Sequence, residues 1–188
     1  MKELTLKQAA EDCRGTLTPE QAEGMITGVQ IDSRRVKPGD LFVAIKGEKS
    51  DGHNFIDMAA SLGAAAALVE RPVKASIPTI LVPDTVKAYG DLAAARRERM
   101  GVTVIGITGS VGKTTTKEMT ACMLERTYRT ARTEGNHNNN IGLPMTILDM
   151  PDDTETAVLE LGMNHFGEMA RLTSIAKPDI AVITNIGT

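Results

Sequence analysis

The sequence predicts an α/β protein: a small N-terminal α/β domain followed by an incomplete, P-loop-type parallel doubly wound sheet. Strand-like and helix-like segments alternate, a glycine-rich loop joins a strand to a helix, and an acidic residue ends another strand. Parallel strands joined by helices bring their carboxyl ends to one edge of the sheet, where ligands bind. We place the domain boundary between residues 1–83 and 84–188, at the start of a long predicted helix.

The composition is that of a globular protein and excludes several functional classes. Of the 188 residues, 41% are hydrophobic and 24% are charged, and the net charge of −3 offers no basic surface for nucleic acid. The N-terminus lacks an apolar signal core, and no run of about 18 apolar residues could span a membrane. Cys13 and Cys122 lie in apolar helical contexts, which predicts buried thiols. We therefore expect a cytoplasmic protein with no nucleic-acid or membrane partner.

The N-terminal segment predicts a small α/β unit without a phosphate loop of its own. A short amphipathic helix around residues 5–13 is capped by Thr5 and ends at Gly15. The stretches GVQID and LFVAI predict two strands joined by a turn at KPGD. The remaining predicted elements are a helix in GHNFIDMAASLGA that ends at Gly63, and strands at 64–70 and 78–84.

Polar residues follow both strands and are candidates for ligand contacts. Ser33 and Arg34 come after the first strand, and Lys46 comes after the second. A guanidinium fork and a hydroxyl suit a diphosphate or a sugar. The alternative is a solvated turn in which Asp32 and Ser33 satisfy local backbone groups.

A long helix at residues 84–99 leads into the second domain. Asp84 is its predicted cap, and the arginines near its C-terminal end complement the helix dipole. We interpret that basic end as a solvated face rather than a binding patch.

The stretch GITGSVGKTTT, residues 106–116, predicts a phosphate-binding loop between a buried strand and a helix. An apolar strand at 102–107 precedes it, and the helix that follows carries Met119, Cys122 and Met123 at helical spacing. Its glycines let the backbone approach an anion, and the helix N-terminus stabilises phosphate charge. Lys113 would reach the β- and γ-phosphates, and the Thr114 hydroxyl would bind Mg²⁺.

One position departs from the strict phosphate-loop pattern. That pattern has a glycine five residues before Gly112, where this sequence has Ile107, and Gly106 comes one position too early. The alternative interpretation is a glycine-rich turn that happens to contain lysine and threonine. The flanking strand and helix favour nucleotide binding.

An asparagine cluster follows a second predicted strand at 128–133. Four asparagines surround His137 and precede an apolar helix in IGLPMTILDM. Carboxamides donate to phosphate oxygens and accept from amines or hydroxyls without adding charge, which suits a ligand junction. Asparagine also favours turns and helix caps, so a structural role stays open. We expect His137 to be an ordinary polar loop residue.

Glu160 lies inside the apolar strand predicted at 156–163. A carboxylate there is costly unless a cation or a metal pairs with it, and Mg²⁺ beside the phosphate loop would serve. The alternative is an exposed edge strand. Glu168 is the predicted cap of a last helix, and a buried final strand follows at 179–185.

Several stretches together resemble the Mur ligases of bacterial peptidoglycan synthesis. They resemble most the members that add D-alanyl-D-alanine to UDP-N-acetylmuramoyl-tripeptide. The loop of that family is TG-x-x-GKT, so the resemblance also accounts for the missing glycine. The matching stretches are DSRRVKPGDLFVAIKGEKSDGHNFI, TGSVGKTTTKEM, GNHNNNIGLPMTIL, LELGMNHFGEM and PDIAVITNIGT.

The resemblance implies an ADP-forming amide ligase. Its first domain would bind the uridine nucleotide sugar, its central domain ATP and Mg²⁺, and a third domain the incoming dipeptide. ATP would convert the tripeptide carboxylate to an acyl phosphate, which the dipeptide amine then attacks. Lys113 and Glu160 would be catalytic, and Thr114 and Glu160 would hold the metal. The implied nucleotide-binding residues are Thr108, Gly109, Ser110, Val111, Gly112, Lys113, Thr114, Thr115 and Asn136, and the implied substrate-binding residues are Ser33, Arg34, Lys46, His53, Asn138 and Asn139.

The family pattern continues past NIGT into a histidine that serves the metal site. We therefore expect this chain to be a fragment of a longer ligase, able at most to bind nucleotides without turnover. We also expect it to be a monomer. Two alternatives remain open: another ligase of the superfamily, such as a polyglutamate-adding enzyme, and a non-catalytic nucleotide-binding or regulatory module.

Overall fold

The computed structural model describes residues 3–163 and 165–187. The chain divides into two compact units, Met1–Leu92 and Ala93–Thr188. The division falls inside the long helix Thr85–Met100 rather than at its start, where we predicted the boundary. Among the described residues, no helix is long and apolar enough to cross a lipid bilayer.

The first unit contains a five-stranded sheet and a separate antiparallel pair. The pair consists of β1 (Leu4–Thr5) and β3 (Met25–Ile26). The sheet has the order β2-β7-β6-β5-β4, with β2 antiparallel to β7 and the other neighbours parallel. Its strands are β2 (Thr16–Thr18), β4 (Gly28–Gln30), β5 (Asp40–Val43), β6 (Ala66–Val69) and β7 (Thr79–Leu81).

The connection between β4 and β5 differs from our prediction. The two strands are parallel, and a single tight turn cannot join parallel neighbours. A short 3-10 helix, Ser33–Arg35, precedes the predicted KPGD turn and helps to carry the chain back to the start of β5.

Two short helices and the first part of a long one complete this unit. Helix α1 (Leu6–Cys13) begins with a capping box between Thr5 and Gln8, as the sequence predicts at its start. Helix α2 (Ile56–Ser61) follows the 3-10 helix Gly52–Phe55. Helix α3 (Thr85–Met100) begins where Asp84 Oδ1 accepts a hydrogen bond from the backbone N–H of Lys87.

The second unit is a parallel α/β sheet, which confirms the predicted fold class. Its strand order is β11-β8-β10-β9, and every neighbouring pair is parallel. All four strands therefore end at the same edge. The strands are β8 (Thr103–Thr108), β9 (Thr130–Arg132), β10 (Thr156–Glu160) and β11 (Ile180–Ile183), and the helices are α4 (Lys113–Leu124), α5 (Gly142–Asp149) and α6 (Glu168–Ala176).

Strand β11 is less buried than the sequence predicts. It lies at the end of the sheet order, and Ile180 and Ile183 are more than half exposed. Strand side chains are buried by what packs on the two faces of the sheet, so an apolar sequence alone does not ensure burial.

Helix α4 packs on a face that we did not predict. Met119 and Met123 are 64% and 72% exposed, and the Cys122 thiol is exposed as well. Lys117 and Ala121 are the fully buried residues of this helix. Of the two thiols predicted to be buried, only that of Cys13 is so, and desolvation raises its pKa to about 11.

Candidate nucleotide and metal site

The loop between β8 and α4 has the backbone of an anion-binding turn. Gly109 and Gly112 have φ values of +136° and +83°, a region that residues with a Cβ rarely adopt. A Cβ at Gly109 would lie 2.1 Å from Thr184 Oγ1. Glycine at this position therefore gives both the required backbone angle and the space for close packing.

Backbone donors at the start of α4 have no acceptor in the part of the chain that the structure describes. The first helical hydrogen bond runs from Thr116 N–H to Gly112 O, and no side chain caps this end. The N–H groups of Lys113, Thr114 and Thr115 are thus available to an anion. The N–H groups of Ser110 and Val111 are already engaged.

Asn185 engages both of those loop amides. Its backbone O accepts from Ser110 N–H at 3.2 Å, and its side-chain Oδ1 accepts from Val111 N–H at 2.9 Å. The Lys113 ammonium folds back onto the loop and donates to Gly109 O at 2.7 Å. A phosphate would therefore meet the helix start and the Lys113 side chain rather than the whole loop.

Glu160 lies beside this loop with its side chain almost fully buried. It is 3% exposed, its Oε2 accepts from the Thr114 hydroxyl at 2.9 Å, and its Oε1 accepts from Asn138 Nδ2 at 2.9 Å. Both donors are neutral. Among the described residues, no lysine, arginine or histidine forms a salt bridge with Glu160.

This donor set suits a small divalent cation. A buried carboxylate without a cationic partner is unfavourable, and a hydroxyl and a carboxylate are hard oxygen ligands of the kind Mg²⁺ prefers. No group of three or more His, Cys, Asp or Glu residues that could hold a metal occurs within residues 3–163 and 165–187. The protein would supply two ligands, Thr114 and Glu160, which fits an ion that keeps several waters and binds substrate phosphates.

The asparagine cluster separates into distinct roles. Asn138 reaches Glu160, and Gly162 makes room for it, since a Cβ there would lie 2.7 Å from Asn138 Cγ. Asn139 Oδ1 accepts from the N–H groups of Ile141 and Gly142, so this asparagine caps the start of α5. Asn136 and His137 are exposed, and Asn140 Oδ1 is buried with no hydrogen-bond partner in the described chain.

A cavity of about 440 Å³ opens beside the loop. Thr108, Gly109, Ser110 and Lys113, four of the predicted nucleotide-binding residues, line it together with residues from the ends of other elements. Asn185 follows β11, a neighbour of β8, and so lies at the same edge of the sheet as Glu160. The lining residues that the sequence did not predict are Met163, Met169, Ile183, Asn185 and Ile186.

The candidate residues after β4 and β5 are only partly available to a ligand. Ser33 is 8% exposed, and its hydroxyl donates to Met58 Sδ at 3.5 Å. The Arg34 side chain is 80% exposed and forms a two-point ion pair with Asp32, whose pKa that contact lowers to about 2. Lys46 is exposed. Asp32 Oδ1 accepts from the backbone N–H of Arg34 at 3.1 Å, as in the local-turn alternative, whereas Ser33 is buried and bonds Met58 instead. Arg34 and Lys46 remain accessible cations.

His53 occupies a buried position that leaves no ring nitrogen free. Its side chain is 1% exposed, with Nδ1 lying 2.6 Å from Asp51 Oδ1. Its Nε2 accepts from the backbone N–H of Glu70 at 3.0 Å. Because Nε2 is an acceptor, Nδ1 must carry the proton. This geometry gives His53 a structural role and no contact atom for a nucleotide.

Comparison with known proteins links both units to one family. Residues 25–102 match the model described as the Mur ligase family, catalytic domain, and residues 107–188 match that of the Mur ligase middle domain. The chain is 47% identical over 191 residues to UDP-N-acetylmuramoyl-tripeptide–D-alanyl-D-alanine ligase of Bacillus subtilis (strain 168), covering 100% of this chain and 42% of the relative. It is 43% identical to the Escherichia coli (strain K12) enzyme of the same name, covering 99% and 41%.

Solved structures agree with this match. A crystal structure of MurF from Acinetobacter baumannii superposes with a TM-score of 0.94 at 42% identity, covering 100% of this chain and 42% of that one. MurF from Thermotoga maritima in complex with ADP gives a TM-score of 0.80 at 41% identity, covering 85% and 38%. The chain spans about two fifths of the length of these relatives. It belongs to the Mur ligase family and carries regions matching that family's catalytic-domain and middle-domain models.

Proposed function

We propose that this chain is the nucleotide-sugar-binding and ATP-binding part of an ADP-forming ligase of peptidoglycan precursor synthesis. The ligase would join D-alanyl-D-alanine to UDP-N-acetylmuramoyl-tripeptide, as the names of its relatives state for those proteins. The observation that carries the proposal is the Thr114–Glu160 contact at the mouth of a glycine loop whose helix start has unsatisfied N–H donors.

The chemistry of amide formation explains why such a site is needed. A carboxylate is a poor acylating agent, so the γ-phosphoryl group of ATP would first be transferred to it, giving an acyl phosphate and ADP. The amine would then attack the acyl carbon through a tetrahedral intermediate and expel phosphate. Phosphoryl transfer depends mainly on positioning and on neutralising charge.

The residues of the second unit have distinct parts in this step. The N–H groups of Lys113, Thr114 and Thr115 would hold phosphate oxygens, and the Lys113 ammonium would leave Gly109 O to neutralise developing charge. Thr114 and Glu160 would hold Mg²⁺, which would screen the negative charge of the phosphates. Asn138 would keep the carboxylate of Glu160 oriented.

In the first unit, the accessible cations Arg34 and Lys46 are the candidates for the diphosphate of the uridine nucleotide. The Arg34 guanidinium would have to exchange Asp32 for a phosphate. That exchange keeps a two-point contact, because a phosphate offers the same paired oxygens as a carboxylate.

Isothermal titration with ATP, with and without Mg²⁺, tests the nucleotide site. We expect the wild-type chain to bind ATP more tightly with Mg²⁺, Lys113→Ala to lose binding, and Glu160→Gln to lose the gain from Mg²⁺. Absence of Mg²⁺-dependent binding in the wild type, or unchanged binding in Lys113→Ala, would overturn the proposal. A separate titration with UDP-N-acetylmuramoyl-tripeptide distinguishes this ligase from a polyglutamate-adding one, which would not bind it.

A further inference from the structure

Lys117 is a lysine whose side chain is fully buried in the second unit. It has 0% exposure and lies one helical turn after Thr114 on α4. Its Nζ donates to the backbone O of Thr133 at 2.7 Å and lies 2.9 Å from Glu118 Oε1. Residues at i and i+3 share a helix face, so Thr114 and Lys117 both point toward the ends of β9 and β10.

Packing alone does not require an ammonium group at this position. Burying a charge is unfavourable unless hydrogen bonds or an opposite charge compensate, and an apolar side chain would fill the same space without that cost. Ala121, one turn later, packs in just this way against Ile105, Ile107 and Val158. We therefore attribute the buried ammonium of Lys117 to its hydrogen bond with the backbone O of Thr133.

Thr133 connects Lys117 to Glu160 through hydrogen bonds. Thr133 is fully buried just beyond β9, and its N–H donates to Val158 O at 3.1 Å. Its hydroxyl accepts from the backbone N–H of Glu160 at 3.0 Å. Thus the Lys117 ammonium holds the carbonyl of the same residue whose hydroxyl holds the backbone of Glu160.

We infer that Lys117 is a positioning residue for the Thr114–Glu160 pair. Thr114 lies on a helix and Glu160 at the end of a strand, so their 2.9 Å separation depends on how α4 is set against the strand ends. Lys117 fixes that setting through Thr133, which bonds both the Lys117 ammonium and the backbone N–H of Glu160. The inference rests on the proposed function, in which these two residues hold the metal.

If Lys117 positions the metal-binding pair, its loss should weaken the effect of a divalent cation on nucleotide binding. Nucleotide binding without the cation should be unaffected. The probes are ADP and Mn²⁺, and the measured quantity is the factor by which Mn²⁺ tightens ADP binding relative to binding in EDTA. We expect Lys117→Met to reduce this factor about tenfold, the low end of the loss typical for outer-shell partners of a metal site. Affinity for ADP in EDTA should stay unchanged, because the loop and the helix start are intact.

Two further variants separate positioning from simple packing. Lys117→Arg keeps a cationic donor and should restore part of the Mn²⁺ factor. Glu118→Gln removes the negative charge beside Lys117 but leaves its bond to Thr133, so it should behave as the wild type. Should Lys117→Met fail to fold, Thr133→Val removes the hydroxyl that holds Glu160 while keeping the residue's shape, and it should lower the factor in the same way.

The outcomes distinguish the inference from the proposed function. A wild-type chain with no Mn²⁺ effect on ADP binding overturns both. A clear wild-type effect with an unchanged factor in Lys117→Met overturns the inference alone. A parallel loss of ADP affinity in EDTA and in Mn²⁺ also overturns it, since that pattern indicates general structural damage.

Discussion

The hydroxyl of Thr114 donates to Glu160 Oε2 at 2.9 Å, although 46 positions separate the two residues in the sequence. The contact follows from the sheet, because β8 and β10 are parallel neighbours with Glu160 in register with Ile107. The end of β10 therefore lies beside the loop that leaves β8, and α4 begins from that loop. The pair joins a helix start to a strand end at the ligand-binding edge.

The first prediction concerns the hydroxyl of this pair. Thr114→Val keeps the β-branched shape but removes the oxygen that would bind the metal. We expect it to reduce the Mg²⁺-dependent gain in ATP affinity at least about tenfold. Mutating residues that only support the metal ligands already lowers metal affinity about 10–100-fold, and Thr114 would be a ligand itself. Titration calorimetry with and without Mg²⁺ measures the gain.

Thr120→Val, on the same helix two turns further on, is the matched control. It makes the same chemical change away from the loop and should keep the full Mg²⁺ effect. An equal loss in both variants would show that the effect comes from the helix and not from the Thr114 hydroxyl.

The second prediction concerns the space that Gly162 leaves for Asn138. In Gly162→Ala the new Cβ would lie 2.7 Å from Asn138 Cγ, so the amide must move away from Glu160 Oε1. The buried carboxylate then loses one of its two side-chain hydrogen bonds, and we expect a loss of about 1–3 kcal/mol in the free energy of unfolding. Urea denaturation measures that loss.

A double-mutant cycle identifies the cause of this loss. Asn138→Ala removes the same hydrogen bond directly, so the combination with Gly162→Ala should cost much less than the sum of the single variants. Additive losses would mean that Gly162 acts through other contacts.

The sequence was sufficient to predict the parallel sheet and to bring the glycine loop and Glu160 to one edge of it. The run at 102–107, the glycine loop and the acid at 160 each carry a local signal, and the common edge of a parallel sheet brings them together. Asn185 lies at that edge as well, but a single asparagine after a strand has no pattern that separates it from an ordinary turn residue. Its contact with the loop amides becomes visible only in three dimensions.

The spacing of apolar residues gave a wrong prediction where a buried polar side chain bonds a residue distant in sequence. It predicted a buried face with Met119 and Met123, whereas the structure buries Lys117, whose ammonium reaches a carbonyl beyond β9. A count of apolar residues cannot detect an acceptor that lies 16 positions away. The same limit applies to His53, whose burial depends on Asp51 and on the backbone of Glu70.

The third prediction concerns the pH dependence of folding stability. The pKa of Asp51 is held below its ordinary value of 3.8 by hydrogen bonds from the backbone N–H and ring of His53, and then by Arg71. The unfolded chain therefore binds a proton on Asp51 at a higher pH than the folded chain does. The stabilisation is fully present well above pH 3.8 and declines as the pH falls through that value toward the lower folded pKa.

Asp51→Asn removes this titration and supplies the test. The variant should be less stable than the wild type at pH 7, and the difference should shrink as the pH falls below 3.8. Urea denaturation of the whole chain from pH 7 to below pH 3.8 measures the stability difference and its change with pH. Glu48→Gln, at an exposed position nearby, is the control, and a difference that grew toward acid pH would contradict the assignment.

The fourth prediction compares Gly109 in the phosphate loop with Gly101, which lies between α3 and β8. Gly101 and Gly109 both have positive φ, +64° and +136°, but a Cβ at Gly101 would have no neighbour within 4 Å. Gly101→Ala should therefore cost only backbone strain, about 1 kcal/mol or somewhat more. Gly109→Ala adds a Cβ 2.1 Å from Thr184 Oγ1 at a φ far outside the left-handed helical region, so both the clash and greater backbone strain should make it cost clearly more stability.

Nucleotide binding distinguishes the two variants further. Thr184 Oγ1 donates to Val111 O at 2.5 Å, so moving the loop away from Thr184 also displaces the turn that leads into α4. Gly109→Ala should thus lose ATP affinity while Gly101→Ala keeps it, as measured by calorimetry on folded protein. Equal ATP affinity in the two variants would mean that the loop tolerates a Cβ at Gly109, and close packing against Thr184 would then be unnecessary for the anion site.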